Sequence, residues 1–260
     1  MNRRRNNLRR RRKRKIIYRR IRVCLTLLIF ILILNKMLNN SLDLKVASNE
    51  NKSLVRALTK DYYKEDRISI ILDPGHGGYD VGADFGDIYE KDVVLNISNK
   101  VGEILEENGI NVIYTRTTDI ALGNYEKEDL KSRVDIANAS DASYFISFHI
   151  NDYECEWYEE IYGFEIWTNF YDEDSLNLGI NIEDNLDALN YTEKRPMLDG
   201  SEDLYIIREN KIPSVLIEFG FMNYYSDRIY FSDEYNQELL AEAVANAILK
   251  SIEASSLDIT

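Results

Sequence analysis

The sequence predicts an α/β protein: a mostly parallel, twisted sheet of about five to six strands, helices on both faces, and an N-terminal membrane-anchor or signal helix. Three observations lead to this prediction. Short apolar runs alternate with longer segments that repeat apolar residues at helical spacing. The run Ile68–Leu72 is apolar or small and rich in β-branched residues, which is typical of a strand buried on both faces. Near the start, the apolar run Val23–Leu34 follows a strongly basic segment.

Residues 1–38 are predicted to form a polybasic region and a signal-anchor helix. The basic part, residues 1–22, holds 13 Lys and Arg and no acid. As a helix, Val23–Leu34 would span only ~18 Å, and an extension to Leu38 ~24 Å, against a hydrocarbon core of ~30 Å. The segment is therefore either a short anchor, with flanking bases reaching the membrane surface, or the apolar region of a signal peptide. Positive charge on one flank favours export.

Composition divides the rest of the chain into a tether, one main domain and a tail. The tether is predicted at residues 39–66, the domain at 67–254 and the tail at 255–260. Small residues at Val46–Ser48 make only a weak cleavage site, which favours an uncleaved anchor over a secreted form. We therefore expect the domain to lie at the outer face of the cytoplasmic membrane.

Charge and cysteine content exclude several classes of protein. The net charge of −13 includes the basic start, so the remainder has 32 − 13 = 19 bases against 45 acids. Such an acidic body repels phosphates, which excludes nucleic acid as a partner. Cys24 lies in the apolar run and Cys155 in an acidic segment, without the spacing of a disulfide framework or a cysteine metal site.

The main domain alternates predicted strands and helices. Strands are predicted at Ile68–Leu72, Asn111–Thr115, Tyr144–His149, Gly163–Thr168 and Ser214–Glu218. Helices are predicted at about 90–108, 128–140 and 175–189, and from a cap at Ser232 to about Ile252. Pro74 ends the first strand because proline lacks the N–H that a sheet ladder needs, and Gly109 ends the first helix. Alternating polarity places Gly163–Thr168 near a sheet edge.

The chain has two histidines, of which His76 follows one predicted buried strand and His149 ends another. Since the carboxyl ends of parallel strands share one sheet edge, His76 and His149 are expected to meet there. Two neutral imidazoles and one carboxylate form a zinc site with an open fourth position. Glu90 opens the helix after the His76 loop and could supply that carboxylate, although an acid at a helix N-terminus is also favourable by itself.

Glu218 is the second informative acid, because it ends an apolar strand and precedes Phe219-Gly220-Phe221. Apolar neighbours disfavour the charged carboxylate and raise its pKa, which suits a general base and acid for a water molecule that zinc activates. The alternative is an acid at a strand end that faces solvent.

Six motifs together resemble the zinc-dependent N-acetylmuramoyl-L-alanine amidases of the third amidase type, over about Ile68 to Ile252. The motifs are LDPGHGG with His76, EKD with Glu90, TRTTD at Thr115–Asp119, SRVDIAN at Ser132–Asn138, SFHIN with His149, and IPSVLIEFGF with Glu218. The resemblance implies that His76, Glu90 and His149 bind Zn²⁺ and that Glu218 is the catalytic carboxylate. It also implies cleavage of the peptidoglycan amide between the lactyl group of muramic acid and L-alanine. A short anchor joined to a bare catalytic domain looks like the spore-cortex, germination-specific members.

The sequence departs from the family at two places. Met222-Asn223-Tyr224 stands where the family commonly has Leu-Ser-Asn. The segment Asn151–Ile161 is acidic and aromatic, and it is either a solvated loop or a substrate lip in which Trp157 and Tyr158 stack on sugar. Asn151 could contact substrate or support a ligand. Three further motif residues are expected to order loops: Arg133, Asn138 and Arg208.

Two other functions remain open at this point. A zinc peptidase acting on the stem peptide could use the same metal chemistry, and a non-catalytic wall-binding module could use the same fold. The wall-binding module is disfavoured, because a suitable residue occupies every position expected to hold a metal ligand or the catalytic acid. The sequence also leaves open whether the wall is vegetative or cortex, and whether an activating protein is needed.

Overall fold

The structure is a computed structural model that describes residues 68–153 and 161–257. The predicted anchor and tether, both cysteines, Trp157 and Tyr158 lie outside the described residues. Among the helices of the described part, none is long and apolar enough to cross a membrane.

The described chain contains both strands and helices, mixed along the sequence. The strands are β1 (Ser69–Pro74), β2 (Asp84–Phe85), β3 (Ile88–Tyr89), β4 (Asn111–Tyr114), β5 (Tyr144–Asn151), β6 (Glu165–Thr168), β7 (Leu198–Asp199) and β8 (Ser214–Phe221). The helices are α1 (Glu90–Glu107), α2 (Glu126–Asn138), α3 (Glu173–Asp187), α4 (Tyr205–Arg208), α5 (Tyr225–Ser232) and α6 (Glu234–Leu257).

The main sheet has six strands in the order β4-β1-β5-β8-β6-β7, and β2 and β3 form a separate hairpin. The pairs of β1 with β4, β1 with β5, and β5 with β8 are parallel, whereas β6 runs antiparallel to β8. Only the two-residue strand β7 lies outside β6. The predicted mostly parallel sheet is confirmed, and so is the position of β6 near an edge.

Apolar side chains pack on both faces of the sheet. One face buries Ile70 and Leu72 of β1 against α1, α3 and α6. The other face buries Ile71 against α2 and α4. Because successive strand residues point to opposite faces, a continuous apolar run is what a strand covered on both sides requires. The predicted helices on both faces are therefore confirmed.

The sequence prediction was wrong or incomplete at several elements. Ser232 is the last residue of α5 and does not cap the final helix. The adjacent Asp233 has the extended backbone of an N-cap, and its Oδ1 accepts the N–H of Asn236 at 3.0 Å. The short elements β2, β3, β7, α4 and α5 were not predicted. Strands β5 and β8 extend past their predicted ends to Asn151 and Phe221.

Candidate active site

The candidate site lies at the carboxyl ends of β1, β5 and β8. His149 of β5 is directly opposite Glu218 of β8, and Glu218 is directly opposite Glu165 of β6. His76 lies in the loop after β1, and Glu90 is the first residue of α1. The fold thus brings together the four residues that the sequence analysis singled out, as the shared sheet edge predicts.

Glu90 stands between the two imidazoles. Its Oε1 is 3.1 Å from Nε2 of His76 and 3.0 Å from Nδ1 of His149. The two rings meet edge to face, with centroids 5.0 Å apart. Each of the three side chains offers one ligand atom, and these atoms lie within 4.8 Å of one another. The predicted ligands converge, while their role as ligands stays a prediction.

The Glu90 carboxylate is buried but well supplied with hydrogen-bond donors. Its residue is 2% exposed. Oε1 accepts the N–H of Ile150 at 2.9 Å, and Oε2 accepts the N–H of Ala83 at 2.7 Å. Burial by itself raises the pKa of Glu90, but the hydrogen bonds and charges of His149 and His76 outweigh it and lower the pKa. Glu90 therefore stays charged at neutral pH.

His76 is held between two carboxylates. Its Nδ1 is 2.8 Å from Oδ2 of Asp80, and its Nε2 faces Glu90. Burial lowers the pKa of His76, yet Asp80 and Glu90 more than compensate and raise it to about 10. The ring must give up the proton on Nε2 before that nitrogen can bind a metal ion, whereas Asp80 keeps the proton on Nδ1. The sequence analysis missed Asp80, although an acid four residues after His76 was a signal.

Two arginines hold the His76 loop by its carbonyl groups. Arg116 donates from Nη2 to the carbonyl of Gly75 at 2.7 Å, and Arg133 donates from Nη2 to the carbonyl of His76 at 2.7 Å. Arg133 also binds buried Asp73, with 2.7 Å between Nη1 and Oδ1. This support matters because His76 has a φ of 60°, a left-handed conformation that is costly for a residue with a Cβ. The predicted ordering role of Arg133 is confirmed.

Two glycines leave space for the converging side chains. A Cβ on Gly75 would lie 2.5 Å from Nε2 of His149. A Cβ on Gly82 would lie 2.7 Å from Cδ2 of His76, and Gly82 also has a positive φ of 68°. No real Cβ approaches that closely, so these positions need glycine for the rings to occupy their places.

Glu218 is half-buried beside the cluster, with its Oε2 shielded from solvent. Among the described residues, its Oε2 has no hydrogen-bond partner. Burial, followed by the charges of Glu90 and Glu165, raises the pKa of Glu218 well above its ordinary value. A buried carboxylate oxygen without a partner is costly in a folded protein, and such an exception commonly marks a catalytic group or a missing water or ion. The buried Oε2 of Glu218 agrees with the apolar surroundings that the sequence predicted, and the catalytic role of Glu218 stays a prediction.

Other residues from the sequence analysis lie around the site. Asn151 donates from Nδ2 to Oε2 of Glu165 at 3.0 Å. Asn138 orders the loop before β8 as predicted, since it donates to the carbonyl of Glu209 and accepts the N–H of Lys211. Arg208 likewise donates to a loop carbonyl, that of Glu202, at 2.9 Å.

The segment that departs from the family pattern is also well packed. Met222 is buried, and its N–H donates to the carbonyl of Asn151 at 2.8 Å. Asn223 donates to the carbonyl of Tyr153. Tyr224 stacks on Tyr162 with centroids 4.7 Å apart. The changed residues therefore pack against the ends of β5 and β6 and leave the His-Glu-His cluster intact.

The donor set fits a divalent transition metal. Two imidazoles and one carboxylate are the three protein ligands of a catalytic zinc site. The buried Oε2 of Glu218, which has no partner in the part of the chain that the structure describes, supplies an acceptor for a water molecule beside such an ion. An α/β sheet with this cluster at its carboxyl edge defines a candidate metal-dependent hydrolase.

Comparisons with known proteins give the family. The family model described as N-acetylmuramoyl-L-alanine amidase matches residues 70–250. The germination-specific N-acetylmuramoyl-L-alanine amidase of Bacillus subtilis (strain 168) is 31% identical over 189 residues, which cover 70% of this chain and 78% of that protein. The chain therefore belongs to the N-acetylmuramoyl-L-alanine amidase family and is an enzyme of that class.

Solved structures share the fold. The CwlD amidase from Clostridioides difficile, in complex with the GerS lipoprotein, is 34% identical with a TM-score of 0.66, and the match covers 72% of this chain and 100% of that one. The N-acetylmuramoyl-L-alanine amidase AmiC2 of Nostoc punctiforme is 30% identical with a TM-score of 0.63, covering 72% of this chain and 97% of that one. The mixed α/β fold is thus that of known amidases.

Proposed function

We propose that this protein is a zinc-dependent amidase that hydrolyses the bond between the lactyl group of N-acetylmuramic acid and L-alanine in peptidoglycan. The observation that carries the proposal is the convergence of His76, Glu90 and His149 beside a buried oxygen of Glu218 that has no partner among the described residues. Membership of the amidase family supports the same substrate bond.

In the proposed mechanism, His76, Glu90 and His149 hold the metal ion. When bound, zinc supplies a positive charge that polarises the scissile carbonyl and lowers the pKa of a water molecule. Asp80 fixes the orientation of the His76 ring through Nδ1, at 2.8 Å. Glu90 contributes a negative charge that its two imidazole neighbours stabilise.

Glu218 moves the proton. Its Oε2 accepts a proton from the attacking water as the new carbon–oxygen bond forms. The same carboxyl then donates that proton to the nitrogen of L-alanine as the carbon–nitrogen bond breaks. The products are a lactyl carboxylate and a peptide with a free amino end. The raised pKa of Glu218 suits this double role, because a carboxyl that holds its proton more tightly can both take it and return it near neutral pH.

We also propose that the domain acts outside the cytoplasmic membrane, on spore cortex. Similarity to a germination-specific amidase supports the cortex, and the basic and apolar N-terminal segments support export. The CwlD relative was solved with a lipoprotein, which supports a protein partner as part of the proposal. Initial rates on cortex and on vegetative peptidoglycan test the choice of wall, with faster cleavage of cortex expected.

Product analysis tests the proposed reaction. Purified peptidoglycan is digested with the full chain and zinc, and the fragments are identified by mass. The proposal predicts intact stem peptides that begin with a new L-alanine amino end. Cleavage within the stem would instead indicate a peptidase, and bound but uncut wall material would indicate a binding module.

A further inference from the structure

A second charged cluster adjoins the site on the β6 side. Glu165, which is 6% exposed, stands directly opposite Glu218 across the β6–β8 pair. Like charges directly opposite each other destabilise a sheet. The structure compensates for this with two donors: Nε of Arg195, 2.5 Å from Oε1 of Glu165, and Nδ2 of Asn151, 3.0 Å from Oε2.

The Arg195 side chain is fixed in place. The aliphatic part of the side chain packs against Gly163, where an added Cβ would lie 2.8 Å from Cγ of Arg195. Its guanidinium lies 5.4 Å from the ring centroid of Phe221, and its backbone N–H donates to the carbonyl of Phe164. A side chain held in this way loses little conformational entropy when it binds a ligand.

The guanidinium still has donors to offer. Its contacts with the described residues are the short bond from Nε to Glu165 and a long one of 3.5 Å from Nη1 to the carbonyl of Tyr162. A distance of 3.5 Å exceeds the usual range of an N–H···O bond. The Arg195 side chain is 36% exposed, so its outer edge is open to a ligand. That edge is a planar pair of N–H groups, which matches a carboxylate.

The chemistry of the proposed reaction indicates which part of the substrate would lie next to Arg195. Across the sheet, the order is β1 with the His76 loop, β5 with His149, β8 with Glu218, and β6 with Glu165. Glu218 must face the leaving nitrogen to protonate it. In the proposed reaction, the peptide that begins with L-alanine would therefore lie on the β8–β6 side, next to Arg195, and the sugar would lie on the side of the His76 loop.

We propose that Arg195, held by Glu165, binds a carboxylate of the stem peptide next to L-alanine, the free α-carboxylate of the following D-glutamyl residue. This inference rests on the proposed function. A carboxylate of the substrate needs a cation here, because the buried Glu165 carboxylate would otherwise repel it. Arg195 thus determines specificity for the peptide and takes no part in proton transfer.

Two substrates that differ in one group test the inference. They are N-acetylmuramoyl-L-alanyl-γ-D-glutamyl-L-lysine amide and its analogue in which the D-glutamyl α-carboxylate is an amide. With the full chain and zinc, we expect kcat/KM to favour the carboxylate about ten- to a hundredfold, mainly through KM. Arg195→Ala should remove this preference, with a much larger loss of kcat/KM on the carboxylate substrate than on the amide analogue. Equal losses on both substrates, or no preference in the parent protein, would overturn the inference.

Two further variants separate recognition from a structural role. Arg195→Lys keeps a cation beside Glu165 but loses the planar pair of donors, so it should lose part of the preference for the carboxylate substrate. Lys194→Ala is the matched control. The Nζ atom of this neighbouring cation lies 3.5 Å from Oε2 of Glu183 and 3.7 Å from Oδ2 of Asp187, both in α3. This variant should leave both substrates unchanged.

A binding measurement keeps this test separate from the proposed function. Calorimetric titration of the Glu218→Gln full chain with both compounds should show tighter binding of the carboxylate, and adding Arg195→Ala should abolish the difference. If the parent protein releases no L-alanine amino ends, the proposed function fails while this comparison still decides the role of Arg195. Equal affinities for both compounds in Glu218→Gln would overturn that role.

Discussion

At the scale of single residues, two neighbouring carboxyl groups are driven to opposite properties. Glu90 receives two backbone N–H groups and two imidazoles, and its pKa is lowered. Glu218 receives no hydrogen bond at Oε2 from the described residues, and burial beside Glu90 and Glu165 raises its pKa. A pair of acids with pKa values pushed apart by their surroundings supports the proposed roles, in which Glu90 would bind the metal ion as an anion and Glu218 would exchange protons.

Replacement of Glu218 by glutamine separates these roles. Glu218→Gln keeps the size of the side chain but cannot accept a proton, so hydrolysis should fall by about 10² to 10⁴ while bound zinc stays unchanged. The measurements are the rate of L-alanine amino-end release and the metal content of the same sample. Glu103→Gln, an exposed acid on α1, is the control and should behave like the parent. Hydrolysis by Glu218→Gln at nearly the parental rate would refute the proton-transfer role.

Replacement of Gly75 by alanine should disturb the His-Glu-His cluster without changing any charged group. The added Cβ would overlap the ring of His149, which must then turn away from Glu90. We expect Gly75→Ala to weaken zinc binding about 10- to 100-fold, measured by competition with a chelator. Gly179→Ala in α3, where the new Cβ would lie 3.3 Å from the nearest atom, is the control. If Gly75→Ala binds zinc with the parental affinity, the His149 ring can accommodate the added methyl group and this prediction is wrong.

At the scale of elements, the end of β1 is fixed by a buried ionic network. Asp73 accepts hydrogen bonds from Thr115, Ser147 and Arg133, at 2.6, 2.7 and 2.7 Å. Burial raises the pKa of Asp73, but the charge of Arg133 and these hydrogen bonds together lower it below its ordinary value. Through Arg133, the network reaches the carbonyl of His76, so the end of the strand and the position of the histidine depend on one another.

The Asp73 network predicts a pH dependence of stability. A group whose pKa is lower in the folded state stabilises the fold above its unfolded pKa of about 3.9, and this contribution disappears as the pH falls through the folded value. Asp73→Asn should lower the free energy of unfolding by about 3 to 5 kcal/mol at neutral pH, because Arg133 loses a buried partner. The difference from the parent should shrink in acid.

Urea unfolding at several pH values measures this effect. Asp141→Asn, which changes an exposed acid before β5, is the control and should follow the parent curve. A difference between Asp73→Asn and the parent that stays constant down to about pH 2 would contradict the account, because the contribution of an ionised Asp73 must fade in acid.

At the scale of the whole molecule, the sequence predicted the sheet, its helical layers and the four convergent side chains. It could do so because buried parallel strands are continuous apolar runs that end at one edge, which places His76, His149 and Glu218 together. Asp80, Glu165 and Arg195 were missed because their roles depend on the register of β6 and the path of a glycine loop. The N-cap of α6 was predicted one residue too early, because Ser232 and Asp233 are adjacent and both residue types are favoured at helix N-caps.

The direction of β6 and the short elements were not available from the sequence either. Alternating polarity gives the position of a strand near an edge but not whether it runs parallel or antiparallel to its neighbour. The strand β7 has two residues and the helix α4 has four, too few for any periodicity to appear.

The proposed anchor is also a property of the whole chain. We expect the full chain to sediment with membranes and to resist extraction with alkaline carbonate, whereas a variant that begins at Arg67 should be found in the soluble fraction. The reason is that the apolar run Val23–Leu34 and its basic flank are the part of the sequence suited to a membrane. Recovery of the full-length protein in the soluble fraction, or of a shortened form in the medium, would contradict an uncleaved anchor.

The central claim is that two imidazoles and Glu90 hold one metal ion for the reaction, and the zinc content of the purified full chain tests it most directly. We predict about one zinc ion per chain for the parent and for Glu103→Gln. His76→Ala and His149→Ala should each lose zinc at least about tenfold more readily to a chelator and lose hydrolysis with it. Parental zinc content and affinity in both histidine variants would contradict the account.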